Sequence, residues 1–445
     1  MRDLLVLLFG IVAIILTFRS PFIGVLTYYC FSVMAPHRYT WGFAYDLQFV
    51  QIAAIATMIS AIIHYKQLSF PKLNEVYLFF VFWIFITLTT FTALYPENAR
   101  VEWLDVCKIF IMVLLTMLIV NTRKKLVYFI LSIIVFVGFL SVKGAVFSIL
   151  TGGKWLLWGP AQSYLADNNF VGVAMIMLIP LCFFLKDSFK YKWINYSLLI
   201  IGLCSIISAI FTYSRGAFVG LVGMGIFYLI HSRHKVIVFS VITIMIITAF
   251  MFLPTKWIER MSSISTYEFD SSARQRLDAW AFSYRMANAH LLGGGFECFT
   301  PQQYKIYSSN PQLNIRTFQD GTEYAHTAHS IYFEVLAEHG YMGLILYLAC
   351  LTSILYSLYK IRKQASSIAG FKWVPSFSNA FNVSIIGYMV SAAFVSRAFF
   401  ELFWVIFAAA VCFICVAERE MLKRQTPEHS ARKIKREKVA EAVST

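Results

Sequence analysis

The sequence predicts an all-α polytopic membrane protein with about twelve transmembrane helices and one large polar loop. Of its 445 residues, 59% are hydrophobic and 14% are charged, whereas soluble domains have roughly 45–50% and about 25%. This composition excludes a disordered chain, a disulfide-stapled mini-protein and an ordinary cytosolic globule. A spanning helix needs about 20 mostly apolar residues, and eleven segments approach that length: 48–64, 75–95, 104–120, 126–150, 168–185, 194–213, 217–231, 236–253, 341–359, 380–396 and 399–417.

The first apolar stretch, residues 4–34, leaves two arrangements open. Arg19, Ser20 and Pro21 interrupt it, and each half is short for a membrane span. The stretch therefore predicts either one broken helix or a tight pair of helices.

Basic residues indicate the orientation of the spans. Fourteen Lys and Arg residues lie in one alternating set of short loops, and five lie in the other set. Because cytoplasmic loops carry the excess of Lys and Arg, the first set is predicted to be cytoplasmic. The net charge of +15 comes from short clusters beside apolar runs rather than from a basic stripe. The expected partner is therefore the lipid bilayer and not nucleic acid.

The spans and loops divide the chain into five predicted regions. These are an N-terminal transmembrane region (1–160), central transmembrane helices (161–253), a periplasmic loop with catalytic helices (254–340), C-terminal transmembrane helices (341–417) and a basic cytoplasmic tail (418–445).

The long polar loop, residues 254–328, is predicted to carry function because structured loops of this length usually do. It contains a predicted helix that opens with a capping box of Ser272 and Gln275. Gly293, Gly294 and Gly295 are predicted to end this helix. Such a helix is expected to lie on the membrane surface or to roof a cavity. Its predicted apolar face consists of Leu277, Trp280, Ala281 and Tyr284.

Two arginines are candidate ligands for an anion. Arg215 lies at the outer junction of two spans, just before the amino end of a helix. An arginine at membrane depth is costly unless it faces water or an anion, and a helix N-terminus favours phosphate. Arg276 lies on the capped helix, and its guanidinium fork matches phosphate oxygens. The alternatives are an interfacial, snorkelling Arg215 and an Arg276 on a solvated helix face.

His329 is the candidate proton acceptor, since a neutral imidazole titrates near physiological pH. A structural histidine is the alternative interpretation. Asp320, Glu323, His326 and His329 recur every three residues, a spacing that suggests a metal site. On a helix each such step drifts by roughly 60°, so the four side chains cannot share one face. No metal is therefore predicted.

Other polar residues on the same side of the membrane are weaker candidates. Asp167, Asn168 and Asn169 begin a span, where they are expected either to bind polar substrate groups or to cap the helix. Lys143 lies near the outer end of its span and is expected to approach an anion or to snorkel. Arg274 is a neighbour of Arg276 on the same predicted helix.

Several of these stretches together resemble the O-antigen ligase and O-antigen polymerase superfamily of bacterial envelope glycosyltransferases. The resemblance follows the chain in order over roughly 160–345, around one large outer loop. The start of the chain, residues 1–4 and 19–22, further resembles the branch of exosortase-associated O-glycosylation ligases. The matching stretches are 167–169, 212–216, 276–280 with 293–296, and 329–334 with 338–340.

The resemblance implies a GT-C-like glycosyltransferase in the bacterial inner membrane, with its active site facing the periplasm. It implies inverting, metal-independent transfer of a glycan from undecaprenyl diphosphate to an acceptor hydroxyl, without a cofactor. His329 would be the general base, and Arg215 and Arg276 would meet the negative charge of the leaving diphosphate. His326 is a rival base, but the family pattern favours the histidine directly followed by Ser or Asn.

The resemblance leaves the acceptor open. Lipid A-core is the leading candidate, which would make the protein an O-antigen ligase. A growing polymer or a protein Ser/Thr hydroxyl is the alternative, because ligases, polymerases and protein O-oligosaccharyltransferases share these motifs. The predicted substrate-binding residues are Asp167, Asn168, Asn169, Trp280, Arg274, His326, Tyr332 and Lys143.

A transporter of lipid-linked sugars is the alternative from another functional class. The sequence shows no inverted repeat and no matched pair of broken helices, which usually indicate alternating access. The charged candidates also cluster on the outer face rather than near the midplane. Glycan transfer in detergent without any gradient would exclude transport as the primary activity.

Overall fold

The computed structural model describes residues 1–231, 271–368 and 370–443, with the backbone alone at 227, 228, 230, 231, 271, 272 and 425–443. The described residues are mostly helical and contain very little strand, which confirms the all-α fold class. The helices are α1 (Arg2–Thr17), α2 (Pro21–Tyr29), α3 (Phe49–Ile63), α4 (Asn74–Phe91), α5 (Pro96–Ile119), α6 (Arg123–Leu150), α7 (Asn168–Leu185), α8 (Lys192–Phe211), α9 (Arg215–His231), α10 (Ser271–Ala289), α11 (Pro301–Tyr307), α12 (Ile331–Ser366), α13 (Trp373–Ser391) and α14 (Glu401–Val443). Strands β1 (Ile315–Thr317) and β2 (Glu323–Ala325) form an antiparallel hairpin.

Residues 4–34 form a tight pair of helices rather than one broken helix. Ser20 has an extended backbone, and Pro21 is the first residue of α2, a position where its missing N–H costs nothing. Helices α1 and α2 pack against each other and against α3. Gly24 provides the close approach, because a Cβ there would overlap Thr57 and Thr17.

The described helices follow the predicted spans. Each predicted segment from 48–64 to 217–231, and from 341–359 to 399–417, coincides with a helix, and the segment 236–253 lies outside the described residues. Seven of the described helices are long and apolar enough to cross a membrane, so the chain is a multi-pass membrane protein. Helix α5 has the required length, but Glu102, Asp105 and Lys108 interrupt its apolar run.

Two helices, α7 and α14, form the interior of the bundle. In α7, 78% of the apolar window is buried, and in the first half of α14 the share is 89%. Helix α7 packs against α8, α9 and α13. An aromatic cluster around Trp404 includes Phe110 at 4.8 Å and Phe79 at 5.7 Å between ring centroids. Because the bundle surrounds these helices on most sides, their sequences lack a continuous polar face.

The described part of the long loop is a folded region with its own small core. Phe282 of α10 stacks on Tyr304 of α11 at 4.3 Å between ring centroids. Met286, Cys298 and Ala325 complete the same apolar cluster. The region is therefore built as a small domain in which α10, α11 and the hairpin share one core.

The helix predicted in this loop is present, but its predicted apolar face is wrong at two of its four residues. Leu277 and Tyr284 are 50% and 55% exposed, whereas Ala279, Phe282 and Met286 are fully buried. Helix α10 carries apolar residues on two faces, and the cover supplied by α11 and the hairpin selects the other one. The predicted cap at Ser272 involves a side chain outside the described residues.

The glycines predicted to end α10 have a different role. The helix ends at Ala289, and the following turn docks onto α12. The N–H groups of Gly294 and Gly295 donate to the carbonyl oxygens of Ala337 and Glu338, each at 2.8 Å. Helix α12 is interrupted there by Gly340, whose φ of 63° is left-handed and favours glycine. This kink orients the first turns of α12 toward the outer region.

Candidate functional site

His329 lies between the hairpin and α12, in an uncommon left-handed conformation with φ of 48°. Burial, together with the charges of Arg276 and His326, lowers the pKa of its imidazole from 6.5 to about 4, while Asp167 acts in the opposite direction. The ring is therefore neutral at pH 7. A neutral imidazole can accept a proton, and Arg276, His326 and Asp167 are close enough to act on it electrostatically.

The backbone around His329 is fixed from two sides. Trp280 Nε1 donates to the Ala328 carbonyl oxygen at 3.0 Å, and its indole stacks on Phe333 at 4.9 Å between ring centroids. The Tyr304 hydroxyl donates to the His326 carbonyl oxygen at 2.9 Å. These contacts hold the histidine in a defined position before any substrate binds, which favours catalysis.

The opposite side of α10 is anchored by a carboxylate. Asp278 Oδ2 accepts from Ser308 Oγ at 2.6 Å and from Asn314 Nδ2 at 2.9 Å. Asp278 is 8% exposed, so this carboxylate serves the loop and not a ligand. Half-buried Arg276 is thereby held on the side of α10 that faces His329.

The amino end of α7 joins Arg215 to this site. Asp167 caps α7 by accepting from the Asn169 backbone N–H at 2.8 Å. Asn168 is buried and donates from Nδ2 to the Thr212 carbonyl oxygen at 2.8 Å. The turn that carries Arg215 is therefore tied to the helix end whose cap lies near His329.

The turn before Arg215 is rigid. Tyr213 has a left-handed φ of 56°, and its hydroxyl donates to the Gly153 carbonyl oxygen at 2.6 Å. Arg215 is the first residue of α9, and Gly216 packs so closely that a Cβ would lie 2.7 Å from the Ser391 carbonyl oxygen. Arg215 is thus presented at a helix N-terminus, where the backbone also favours an anion.

The remaining predicted residues have separate contacts. Arg274 is exposed on α10. The Tyr332 hydroxyl donates to the Met389 carbonyl oxygen at 3.0 Å, so it holds α12 against α13. The ammonium group of Lys143 lies 4.1 Å from the ring centroid of Tyr39, on an exposed face of α6. A substrate role for these three side chains stays a prediction.

The repeated spacing from Asp320 to His329 does not lie on a helix. Glu323 belongs to β2, Asp320 lies in the hairpin turn, and His326 and His329 follow β2. Among residues 1–231, 271–368 and 370–443, no three His, Cys, Asp or Glu side chains are grouped as metal ligands would be.

The structure also reveals polar residues that sequence reasoning missed. Glu102, Tyr164, Glu334 and Arg397 line one cavity. Arg397 is one of the five basic residues in the second set of short loops, and its position in a loop does not indicate which residues lie next to it in the fold. The charges inside the apolar run of α5 were the available signal, since ionisable residues at membrane depth often mark function.

Two family models match the chain. Residues 200–348 match the O-antigen ligase family, and residues 1–190 match a family of unknown function. The search of curated proteins found no match. The first match contains Arg215, Arg276 and His329, and it confirms the resemblance to the O-antigen ligase superfamily. It supports glycan transfer of the ligase or polymerase type.

Proposed function

Because residues 200–348 match the O-antigen ligase family, we propose that the protein is an inverting, metal-independent glycosyltransferase of the bacterial inner membrane. It moves a glycan from undecaprenyl diphosphate to an acceptor hydroxyl at the periplasmic face. Lipid A-core is the leading acceptor, and a growing polymer or a protein Ser/Thr hydroxyl is the alternative.

The observation that supports this proposal most is the proximity of the neutral imidazole of His329 to cationic side chains. The charges of Arg276 and Asp167 both shift the pKa of His329. Arg215 belongs to the turn that Asn168 fixes beside Asp167. A base and two guanidinium groups on one side of the bundle suit a reaction in which a hydroxyl is deprotonated and a diphosphate departs.

In the proposed step, the acceptor oxygen attacks the anomeric carbon of the donor sugar. The bond between that carbon and the diphosphate oxygen breaks on the opposite face, and its electron pair goes to the diphosphate. The hydroxyl proton passes to the imidazole of His329. Arg215 and Arg276 bind the diphosphate and stabilise its departure by charge-assisted hydrogen bonds.

The low pKa of His329 suits this order of events. In the free enzyme, burial and Arg276 keep the ring neutral, so it is ready to accept a proton. When the anionic donor binds beside Arg276, the negative charge offsets that arginine and favours the protonated ring. Proton affinity is therefore expected to rise once the donor is in place.

The proposal is tested in membranes of a strain lacking the gene, complemented with wild type or His329→Ala. The envelope glycan is separated on a gel before and after protease digestion. A protease-resistant ladder on lipid A-core that requires His329 supports an O-antigen ligase. A protease-sensitive ladder indicates protein O-glycosylation. If neither gene changes the ladder of the deletion strain, the result contradicts glycan transfer by this protein.

Transport is separated from transfer with the purified protein in detergent. The donor and acceptor are mixed without any gradient, and the joined product is measured. Formation of product identifies transfer as the activity, whereas movement of donor across a vesicle membrane without product identifies a transporter.

A further inference from the structure

The described part of the chain contains a cavity of about 650 Å³. Its walls come from α3, α5, the loop before α7, the first turn of α12 and residues 397–399. This volume falls within the range of about 300–1,000 Å³ that is typical of ligand pockets. It is large enough for a disaccharide with part of an aliphatic chain.

One wall of the cavity is apolar. Val50, Ala54, Ile55 and Met58 of α3 line it, at spacings that place them on one side of a helix. Ile55 is 53% exposed, so this wall continues onto the outer surface of the bundle. An aliphatic chain can therefore run along α3 from the bilayer into the cavity.

The opposite wall is polar and rich in oxygen acceptors. Glu102, Asp105 and Glu334 contribute carboxylates. Tyr164 adds a phenol, and Gln51 adds an amide from α3, at the edge of the apolar wall. Carboxylate and amide oxygens accept hydrogen bonds from hydroxyl groups, and a tyrosine ring offers a flat apolar surface to a sugar. This wall has the composition of a site for a polyhydroxylated ligand.

The cations of the cavity are already engaged. Lys108 Nζ lies 2.6 Å from Asp105 Oδ1. The Arg397 guanidinium lies 4.4 Å from the ring centroid of Phe170, with Glu102 and Glu334 within electrostatic range of it. Because Lys108 and Arg397 already have carboxylate neighbours, they offer little unengaged positive charge to a phosphorylated ligand.

The cavity and the proposed reaction site share their elements. Tyr164 of the cavity and Asp167 beside His329 belong to the same loop before α7. Glu334 of the cavity belongs to the first turn of α12, directly after His329. A sugar held in the cavity therefore lies next to the residues that surround the proposed base.

The two matched regions contribute differently to these sites. Arg215, Arg276 and His329 belong to the O-antigen ligase match, whereas α3, α5 and the loop before α7 belong to the match over residues 1–190. The region of unknown function thus supplies most of the cavity. It is placed to select what the ligase region acts on.

We propose that this cavity binds the neutral, hydroxyl-rich terminal saccharide of a lipid-anchored acceptor, with the aliphatic part along α3. The assignment of this ligand as acceptor rests on the proposed function. The anionic donor belongs to the arginines around His329, so the two substrates approach the reaction from different walls.

Photo-crosslinking of the full-length protein in phosphatidylcholine nanodiscs tests the proposal. The probes are an alkyl maltoside with a diazirine in its chain and an alkyl phosphate with the same chain. The maltoside is expected to label residues 50–58 of α3 saturably, and unlabelled maltoside is expected to displace it. Stronger labelling of α3 by the alkyl phosphate would overturn the proposal, as would displacement of the maltoside by a Ser/Thr-rich peptide.

Variants of the polar wall identify the site. Glu102→Gln and Asp105→Asn are each expected to weaken maltoside binding by about threefold to tenfold, the effect of one lost hydrogen bond. Glu97→Gln, an exposed carboxylate on the same helix, is the matched control and is expected to bind as wild type. Unchanged binding in both cavity variants would contradict the site.

The crosslinking result is independent of transfer. His329→Ala is expected to bind the maltoside as wild type does, even though it loses transfer. Cavity labelling without any transfer by wild type would contradict the proposed function but still support a glycolipid-binding site. Transfer without cavity labelling would keep the proposed function and overturn the acceptor site.

Discussion

Two polar regions of the bundle share structural elements, and they differ in the groups that they offer to a ligand. The region around His329 gathers Arg276 and the Arg215 turn next to a neutral imidazole. The cavity beside it carries three carboxylates against two cations. The loop before α7 and the first turn of α12 contribute to both regions.

This difference suggests how one site could distinguish two sugar-bearing substrates. A lipid diphosphate carries charge close to its reacting carbon, so cationic side chains recognise it. A neutral acceptor offers only hydroxyl groups, which carboxylate and amide oxygens recognise. Arginines on one wall, and oxygen acceptors with already engaged cations on the other, would then reduce binding of either substrate in the wrong place.

The largest effect is expected when the base is removed. His329→Ala should lower the transfer rate by about 10²–10⁴-fold, the usual contribution of general base catalysis. His326→Ala should cost less, because the described hydrogen bonds of His326 involve its backbone. The measurement is product formation by purified variants at saturating donor. Loss of transfer in His326→Ala but not in His329→Ala would show that His326, and not His329, is the base.

Removal of a cation should affect the donor alone. Arg215→Ala is expected to raise KM for the undecaprenyl diphosphate-linked donor by about ten- to a hundredfold, since hydrogen bonds to charged groups are worth about 1.5–3 kcal/mol. Arg215→Lys should recover only part of this, because lysine lacks the guanidinium fork. Steady-state kinetics with each substrate varied separately gives the two constants. An unchanged donor KM in Arg215→Ala would remove Arg215 from the diphosphate site.

A backbone change should disturb both regions together. Gly340→Ala is expected to destabilise the protein, because a Cβ there overlaps the Leu291 carbonyl oxygen and a left-handed residue costs about 1–2 kcal/mol. Gly321→Ala is the matched control: its φ of 83° is also left-handed, but no atom lies within 4 Å of a Cβ. Thermal unfolding in detergent should show a larger drop in Tm for Gly340→Ala. Equal drops in Tm would mean that the packing of the turn at residues 293–295 against α12 does not contribute to stability.

The pH dependence should be the smallest but most specific effect. Because the folded pKa of His329 is about 4, the base stays neutral well below its ordinary 6.5, and the acid limb of kcat/KM should lie near pH 4–5. In the unfolded chain His329 binds a proton below about pH 6.5, whereas in the folded protein it does so only below about pH 4. Its contribution to the free energy of unfolding is therefore lost as the pH falls from 6.5 to 4. Arg276→Gln removes one cause of the depression and should move the limb upward. A wild-type limb at pH 6.5 would contradict the environment described for His329.

The transmembrane helices could be predicted because hydropathy depends on local composition. Residues 168–185 are apolar throughout, and the structure places them in the bundle interior as α7. The tight pair α1–α2 remained open, because Ser20 and Pro21 permit a kink as well as a turn. The extended backbone of Ser20 and the packing of Gly24 against Thr17 of α1 decide between them.

The site residues could be selected, but their arrangement could not. Arg276 and His329 were identified by residue type and by the family resemblance, whereas the buried face of α10 depends on a hairpin and α11 that lie later in the chain. Glu102 and Arg397 are far apart in sequence and meet only through the folding of α5 against the loop after α13. Long-range contacts of this kind leave no periodic signal.

The most direct test of the division between donor and acceptor walls is a pair of KM values for each of two variants. Purified Arg215→Ala and Glu102→Gln are assayed in nanodiscs, with the donor and the acceptor glycolipid extracted from membranes of the source organism. Arg215→Ala should raise only the donor KM, and Glu102→Gln should raise only the acceptor KM. If both variants change the same KM, the two walls do not bind separate substrates and the account is wrong.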